Sequence, residues 1–305
     1  MKKIIIKSIL TLLFIAPFLA CKNRESDIKQ PPDNDTEAET GYKLVWEDLF
    51  DGSTLNKSNW TIEVNGDGGG NSELQYYKED NISVGKEPET GSNCLIITAK
   101  KENYMGKKAT SGRINTIGKY SFKYGKLEAR IKFPKTANGL WPAFWMLGAD
   151  FPQVGWPKSG EVDIVEMGND YGIKNNLQDK YFNGACHWGP NANSVASNAK
   201  HITASYGLQD GFHLYTLIWD EQAIKMYLDL DKNPEALPYY EMNITSVEND
   251  KSPGKYFNKE FSILFNLAVG GNFTQIWDIN QITGLAGGEA NMYVDYVKVY
   301  QKNAQ

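Results

Sequence analysis

The chain has 305 residues, of which 41% are hydrophobic and 12% aromatic, so it is long enough and apolar enough to bury a full core. Its net charge is −5 at pH 7 and it contains no basic block, which argues against partners such as nucleic acids and anionic membrane surfaces. The 8 Trp, 17 Tyr and 13 Phe exceed what a core normally requires, and surplus rings often line sites where flat, partly apolar ligands stack.

Residues 1–20 have the proportions of a signal peptide. Lys2, Lys3 and Lys7 give a positive start, and the apolar run 4–20 is short for a membrane span. The run ends in Phe18-Leu19-Ala20-Cys21, which resembles a bacterial lipobox and implies lipid attachment to the sulfur of Cys21. We therefore expect an exported bacterial lipoprotein of the outer membrane or cell surface, held to the membrane by its lipid alone. Ordinary secretion is the alternative, because Phe18 stands where Leu is usual.

The rest of the chain divides into a short tether and one domain. Residues 21–41 are polar, charged and interrupted by Pro, which predicts a disordered tether. From residue 42 to residue 305 there is neither an internal repeat nor a second shift in composition, so one domain is the simplest interpretation. Short alternating runs recur along it, and their number predicts a β-sandwich of many strands, not βαβ units. The clearest of them are 93–100, 124–133, 212–220, 223–229, 260–269 and 292–300.

Two segments between these runs have unusual content. The Gly-rich stretch 66–71 resembles a phosphate-binding loop, but neither a helical pattern nor a Lys follows it, so we expect a flexible loop beside a cleft. In the stretch 139–146, Trp141 and Trp145 would share one face of a strand. Both rings could line a cleft, or both could belong to the core.

The most informative stretch is Gly160-Glu161-Val162-Asp163-Ile164-Val165-Glu166. Its Val and Ile residues favour a strand, in which Glu161 and Asp163 share a face. Strict alternation would put Glu166 on the other face, but one β-bulge between Asp163 and Glu166 returns it to the same side. Because like charges side by side in a strand repel, we expect this row of acids where the chemistry requires coupled carboxylates.

The cysteines leave two alternatives open. Cys94 and Cys186 could form one disulfide in an exported protein or remain two separate buried thiols. The 3 Cys and 3 His are scattered along the chain without a metal-binding spacing.

Several motifs together resemble glycoside hydrolase family 16, in its laminarinase-like (endo-β-1,3-glucanase) branch. They are spread over residues 44–301: LVWED with FDG (44–52), NSELQY (71–76), SGR (111–113), YGKLEAR (124–130), GLWPAFW (139–145), WPKSG before the acids (156–160), NLAVGG (266–271) and VDYVKVY (294–300). The resemblance implies an all-β jelly-roll sandwich of two curved antiparallel sheets with a concave sugar-binding cleft. It also implies retaining hydrolysis of internal β-linkages by a protein that is a monomer.

By motif position, the resemblance implies a role for each acid. Glu161 would be the nucleophile, Asp163 would assist it, and Glu166 would be the general acid/base. The reaction needs Glu166 protonated and Glu161 ionised. Three clustered acids cannot all ionise cheaply, and which of them carries the proton is a property of the whole cluster that the sequence leaves open. Catalysis by this mechanism requires no cofactor.

The resemblance also implies substrate-binding residues. Asn71, Glu73 and Arg113 would bind sugar hydroxyls, and the rings of Trp141, Trp145 and Trp156 would stack on sugar faces. His187 lies on a strand expected to face the site, although a lone His is as often structural. Many relatives carry Trp where this chain has Phe273, and Trp277 could substitute for it.

Two further expectations concern the substrate and a structural metal site. Because Arg and Lys are sparse in these motifs, a neutral β-glucan is favoured over a sulfated galactan, and the two residues between Asp163 and Glu166 favour β-1,3-glucan. The alternatives are a mixed-linkage β-1,3-1,4-glucanase and, less favoured, a non-catalytic glycan-binding surface lipoprotein. A structural calcium often accompanies the fold, and Glu47 and Asp295 are its candidate ligands.

Overall fold

The computed structural model describes residues 41–302. The predicted signal peptide, the lipid-bearing Cys21 and all but the last residue of the predicted tether lie outside the described residues. Within residues 41–302, we find no helix with the length and apolar character needed to cross a bilayer.

Strands are the main regular element of the described chain. In chain order they are β1 (Tyr42–Asp48), β2 (Thr61–Ile62), β3 (Gln75–Tyr77), β4 (Ile82–Lys86), β5 (Asn93–Lys100), β6 (Ala109–Ser111), β7 (Arg113–Asn115), β8 (Gly125–Lys132), β9 (Leu140–Gly148), β10 (Glu161–Met167), β11 (Tyr181–Trp188), β12 (Ala196–Thr203), β13 (His213–Trp219), β14 (Ala223–Leu228), β15 (Tyr240–Asn243), β16 (Phe261–Val269) and β17 (Glu289–Lys302). The six predicted runs correspond to β5, β8, β13, β14, β16 and β17.

The strands form two sheets, which confirms the all-β jelly-roll sandwich. The ten-stranded sheet has the order β15-β14-β13-β8-β17-β5-β6-β3, with β1 paired to β17 and β4 to β5. The seven-stranded sheet has the order β12-β11-β10-β9-β16-β7-β2. Within the described chain, every strand pair is antiparallel except β3 with β6.

Helices are short and lie in the connections. Two α-helical turns, α1 (Phe151–Val154) and α2 (Asp170–Lys174), flank β10 in the chain. The 3-10 turns are Gly68–Gly70, Glu79–Asn81, Pro253–Lys255, Ile279–Gln281 and Thr283–Leu285.

The core lies between the sheets and follows from strand alternation. In β8, Leu127, Ala129 and Ile131 are fully buried, whereas the charged residues between them are partly exposed. Inward-facing side chains of both sheets belong to one continuous apolar cluster. A second, smaller cluster of Ala143, Trp145, Leu147 and Leu264 is separate from this core, and most of its side chains lie beside the acids described below. Burial of one face of each sheet therefore leaves the other face of the seven-stranded sheet free to carry a site.

The two cysteines are separate. Cys94 lies in β5 of the larger sheet and Cys186 in β11 of the smaller one, and both are buried free thiols. Burial raises the pKa of Cys94 to about 12 and raises that of Cys186 as well. Cys94 and Cys186 therefore do not form a disulfide, and they are two separate, unreactive thiols.

Candidate active site

A β-bulge places the three acids on one face of β10. Asp163 lies opposite Trp145 of β9, and Val165 lies opposite Phe144, so Ile164 is the extra residue. Ile164 and Val165 are both fully buried in the core, next to each other in the chain. Two consecutive inward side chains are what a bulge produces, and they return Glu166 to the outer face. The predicted bulge is confirmed.

The acids line a cleft of about 270 Å³ on the seven-stranded sheet. Its walls come from β7, β9, β10, β16 and the connections beside them. The lining residues are Gly69, Gly70, Asn71, Glu73, Arg113, Trp141, Ala143, Trp145, Leu147, Phe151, Trp156, Glu161, Asp163, Glu166 and Asn266. The cleft therefore contains all three predicted catalytic acids and six of the eight predicted substrate-binding residues.

Glu166 is held by two donors. The indole Nε1 of Trp141 donates to Oε1 at 2.9 Å, and Nδ2 of Asn183 donates to Oε2 at 2.8 Å. The side chain is only 8% exposed. Burial raises the pKa of Glu166, and the two hydrogen bonds offset part of that rise. A fixed carboxyl that retains its proton above the usual range suits a general acid.

Glu161 has a cationic neighbour, the guanidinium of Arg113, whereas no cation among the described residues affects Glu166 in the same way. Burial and the neighbouring Glu166 raise the pKa of Glu161, whereas the guanidinium of Arg113 and a hydrogen bond from Trp156 lower it. Arg113 is fixed in turn, because its Cζ lies 4.7 Å from the centroid of the Trp145 ring and its Nε lies 3.1 Å from Oε1 of Glu63. Burial and Glu166 have the larger effect, and the pKa of Glu161 rises to about 7, but Arg113 opposes the rise and so favours the ionised form that a nucleophile needs.

Asp163 lies between the two glutamates in the row and is 6% exposed. Burial, and then the charges of Glu161 and Glu166, raise its pKa well above the usual range. Nε2 of His187 lies 3.4 Å from Oδ2 of Asp163, longer than an ordinary hydrogen bond. Burial lowers the pKa of His187, which keeps the imidazole neutral at pH 7. A protonated Asp163 beside Glu161 would share its proton with the carboxylate and orient it.

His187 is brought to the acids, as the strand pattern indicated. It lies opposite Glu161 in the register between β10 and β11. Its ring nitrogen and the carboxylate oxygens of Glu161 and Asp163 all lie within 4.8 Å of one another.

Glu73 projects from the segment before β3, and its carboxylate is held on both oxygens. Gln75 and Tyr77 donate to Oε2 at 2.5 and 3.0 Å, and Asn71 donates to Oε1 at 3.4 Å. Gly69 has φ +58°, and a Cβ there would meet Oε1 of Glu73 at 2.2 Å. This close approach explains a glycine in the loop, which lies beside the cleft as predicted.

The tryptophans divide into fixed and exposed rings. Trp145 donates from Nε1 to Oδ1 of Asn266 at 2.7 Å, and Trp141 stacks on Phe273 with ring centroids 4.6 Å apart. Each is 9% exposed, so both rings contribute to packing as well as to the wall of the cleft. Trp156 is 44% exposed, so its ring can contact a ligand while its side chain hydrogen-bonds Glu161.

Trp277 does not fit the prediction. It is 50% exposed but lines a separate depression with Leu74, Lys107 and Ile279. The chain after β16 turns back at Gly271, which pairs with Ile276, and this turn directs Trp277 away from the acids. Phe273 fills the space beside Trp141 instead.

Sequence reasoning missed several residues of the site. Asn266 was part of a recognised motif but had no assigned role, and Glu63, which holds Arg113, lay in an unassigned segment. Asn183 had no signal at all, because its contact with Glu166 depends on the register that the bulge creates between β10 and β11.

Comparison with known proteins decides the family. The sequence profile of Glycosyl hydrolases family 16 matches residues 73–244. The chain belongs to glycosyl hydrolases family 16. The fold agrees with this assignment, because the chain has the jelly-roll sandwich that the resemblance implied.

Three family 16 relatives illustrate the similarity. Glucan endo-1,3-beta-glucosidase A1 of Niallia circulans is 33% identical over 86% of this chain, which spans only 38% of that protein's length. Beta-glucanase of Rhodothermus marinus is 32% identical over 85% of this chain and 85% of its own. The solved Bacteroides ovatus mixed linkage glucan PUL GH16, in complex with a G4G4G3G product, is 42% identical, with a TM-score of 0.73 over 83% of this chain and 99% of its own.

The residues proposed for calcium do not fit a cation. Oδ2 of Asp295 lies 2.6 Å from Nη1 of Arg130, and Oε2 of Glu47 lies 3.9 Å from Nζ of Lys298. Each carboxylate already faces a basic side chain, which a calcium ion would have to displace. These two residues are therefore poor calcium ligands in this family 16 chain.

We predict that Arg113 sets the acidic limb of the pH–activity profile. In Arg113→Gln, the pKa of Glu161 rises because the neighbouring positive charge is lost, and the acidic limb of kcat/KM moves up by about 1 pH unit. Initial rates measured from pH 4 to 9 test the shift. Arg113→Lys retains the charge and is the matched control. An unmoved limb in Arg113→Gln, or an equal shift in both variants, would contradict the role.

Proposed function

We propose that this chain is a retaining endo-β-glucanase that hydrolyses internal β-1,3 linkages of laminarin-type glucans. The observation that carries the proposal is the bulged strand, which brings Glu161, Asp163 and Glu166 to one face inside a tryptophan-lined cleft. The Niallia and Rhodothermus relatives support it, since one is named for β-1,3-glucan and the other for β-glucan.

The first step is displacement at the anomeric carbon. A carboxylate oxygen of Glu161 attacks this carbon, the bond to the leaving sugar's oxygen breaks, and Glu166 transfers its proton to that oxygen. Retention needs the two carboxyls about 5–5.5 Å apart, so that no water fits between nucleophile and substrate. The product of the step is a glycosyl ester of Glu161 and a free leaving sugar.

The second step restores the enzyme. Glu166, now ionised, takes a proton from water, and the resulting hydroxide attacks the same carbon and breaks the ester. Asn183 and Trp141 hold Glu166 through both steps, since the same carboxyl must reach the leaving oxygen and then the water. Family 16 hydrolysis needs no cofactor for these steps.

The charge of the cleft favours a neutral glucan. Arg113 is the single cation among the cleft's described lining residues, and it lies 3.1 Å from Glu63. Sulfated galactans would require several unpaired cations. Hydroxyl groups instead suit the amide and carboxylate groups of Asn71, Glu73 and Asn266.

A second candidate is a mixed-linkage β-1,3-1,4-glucanase. It is favoured by one observation, the 42% identity to the Bacteroides ovatus protein solved with its G4G4G3G product. A non-catalytic glycan-binding protein is the third candidate, and it is disfavoured because all three acids are present in the cleft.

Initial rates on purified laminarin and on cereal mixed-linkage glucan separate these candidates. We expect faster release of reducing ends from laminarin, with products several sugars long at early times, as endo cleavage requires. Faster cleavage of the mixed-linkage polymer would favour the second candidate. Binding to either polymer without release of any sugar would favour the third.

We further propose that the protein is exported and carries lipid on Cys21, which would place the hydrolase at a bacterial envelope. Expression in a lipoprotein-processing bacterium with radiolabelled palmitate tests it: the wild type should incorporate label and Cys21→Ser should not. A labelled Cys21→Ser variant or an unlabelled wild type would contradict the proposal.

A further inference from the structure

The outer face of the seven-stranded sheet continues beyond the acids on the side away from the cleft. Strands β11 and β12 follow β10 at the edge of the sheet. In β11, the side chain of Asn183 reaches Glu166, so residues two positions away on the same strand, Tyr181 and Ala185, share its face. The register then places three rows across the three strands: Glu166–Asn183–His201, Asp163–Ala185–Ala199 and Glu161–His187–Ser197.

Small side chains lie beside the acids in two of these rows. Ala185 pairs with Asp163 and is buried, whereas Ala199 and Ser197 of β12 are exposed. Strands are about 4.8 Å apart, so β12 lies about 10 Å from β10. That distance is comparable to the length of two linked pyranose units.

Three aromatic side chains lie together at one end of these rows. Tyr181 and His201 stack with ring centroids 5.7 Å apart and an interplanar angle of 9°. Tyr171, from α2, packs on Tyr181 at 4.9 Å and is 51% exposed. His201 is exposed as well. We call Tyr171, Tyr181 and His201 the aromatic platform.

The two sides of the acids suit different halves of the substrate. Glu161, which forms the glycosyl ester, has Arg113 beside it in the cleft. Glu166 protonates the leaving oxygen, and on the other side its neighbours are Asn183 of β11 and then His201 of β12. The exposed surface of β12 beyond Glu166 therefore suits the half that leaves.

We infer that the aromatic platform binds the sugars on the leaving-group side of the cleavage point. This inference rests on the proposed function. Apolar sugar faces contact the exposed rings of Tyr171 and His201, and Tyr181 packs against both of these rings. Asn183 and His187 border the first leaving sugar. The platform therefore selects long β-glucan chains over substrates that end at the cleavage point.

Tyr171→Ala and His201→Ala test the inference, because both side chains are exposed and their removal spares the core. We expect each variant to lower kcat/KM about threefold to tenfold on the preferred polymer. On a 4-nitrophenyl oligosaccharide of the matching linkage, which carries no sugar beyond the cleaved bond, kcat/KM should stay within about twofold of wild type.

Tyr206→Ala is the matched control. Tyr206 also stacks on a histidine, His213, at a centroid distance of 5.7 Å, but His213 belongs to the other sheet. This variant should leave both substrates unaffected.

Two results would overturn the inference while the proposed function stands. Platform variants that retain wild-type kcat/KM on the polymer show that the rings contact no sugar. Equal losses on the polymer and the aryl substrate show a general structural effect. A wild-type chain that cleaves neither substrate would instead overturn the proposed function and this inference with it.

Discussion

Glu161→Gln is expected to lower kcat/KM on β-glucan by a factor on the order of 10⁴ or more, since the covalent intermediate cannot form without the carboxylate. The amide occupies the same space and still accepts a hydrogen bond from Trp156. Reducing-sugar release over hours, with wild-type and variant proteins at equal concentration, measures the loss.

The folded state of this variant should be at least as stable as that of the wild type. Burial and Glu166 raise the pKa of Glu161 to about 7 in the folded state. The contribution of Glu161 to the free energy of unfolding is therefore greatest at a pH below the pKa of the unfolded chain, and it is lost as the pH rises through 7. The amide does not titrate, and the melting temperature of Glu161→Gln should therefore exceed that of wild type increasingly at pH 8. Glu241→Gln, an exposed glutamate in β15, is the control for both readouts. Appreciable turnover by folded Glu161→Gln would contradict its role as nucleophile.

Glu166→Ala is expected to slow cleavage of β-glucan by about 10²–10⁴-fold, because the leaving sugar then departs without a proton. A 2,4-dinitrophenyl glycoside needs no such proton, so its first step should be spared and a burst of dinitrophenol should appear. Loss of the carboxylate also leaves the donors of Trp141 and Asn183 without their partner, which lowers stability by roughly 1–3 kcal/mol.

Azide distinguishes the role of Glu166 from a structural one. As a nucleophile that requires no base, azide should restore turnover of the aryl substrate by Glu166→Ala and yield a glycosyl azide of β configuration. Glu161→Gln forms no intermediate and should yield no β-azide. The proposed role is wrong if azide leaves the rate of Glu166→Ala unchanged.

The sequence predicted best those features that follow from the alternation of side chains between the two faces of a strand. Three acids in six positions required a bulge, and the structure has it at Ile164. The same period placed Trp141 and Trp145 on one face, and the short alternating runs correspond to strands of the two sheets. In each case the physical constraint is local, because a strand permits only two directions for a side chain.

Contacts that depend on pairing or on turn geometry could not be predicted in this way. Asn183 reaches Glu166 only because of the register of β11 against the bulge, and nothing near Asn183 in the chain encodes that register. Trp277 was assigned to the cleft from its nearness to Phe273, but the turn that pairs Gly271 with Ile276 directs it elsewhere. Asp295 is a calcium candidate by its sequence position alone, but Arg130, distant in sequence, lies 2.6 Å from its carboxylate.

The stereochemistry of hydrolysis tests the central claim most directly. Early in the reaction, before mutarotation, ¹H NMR of the new reducing ends should show the β-anomer first, with the α-anomer growing in slowly. Direct attack by Glu161 followed by water requires this result, because two inversions restore the configuration. The α-anomer appearing first would mean a single displacement by water and would contradict the role assigned to Glu161.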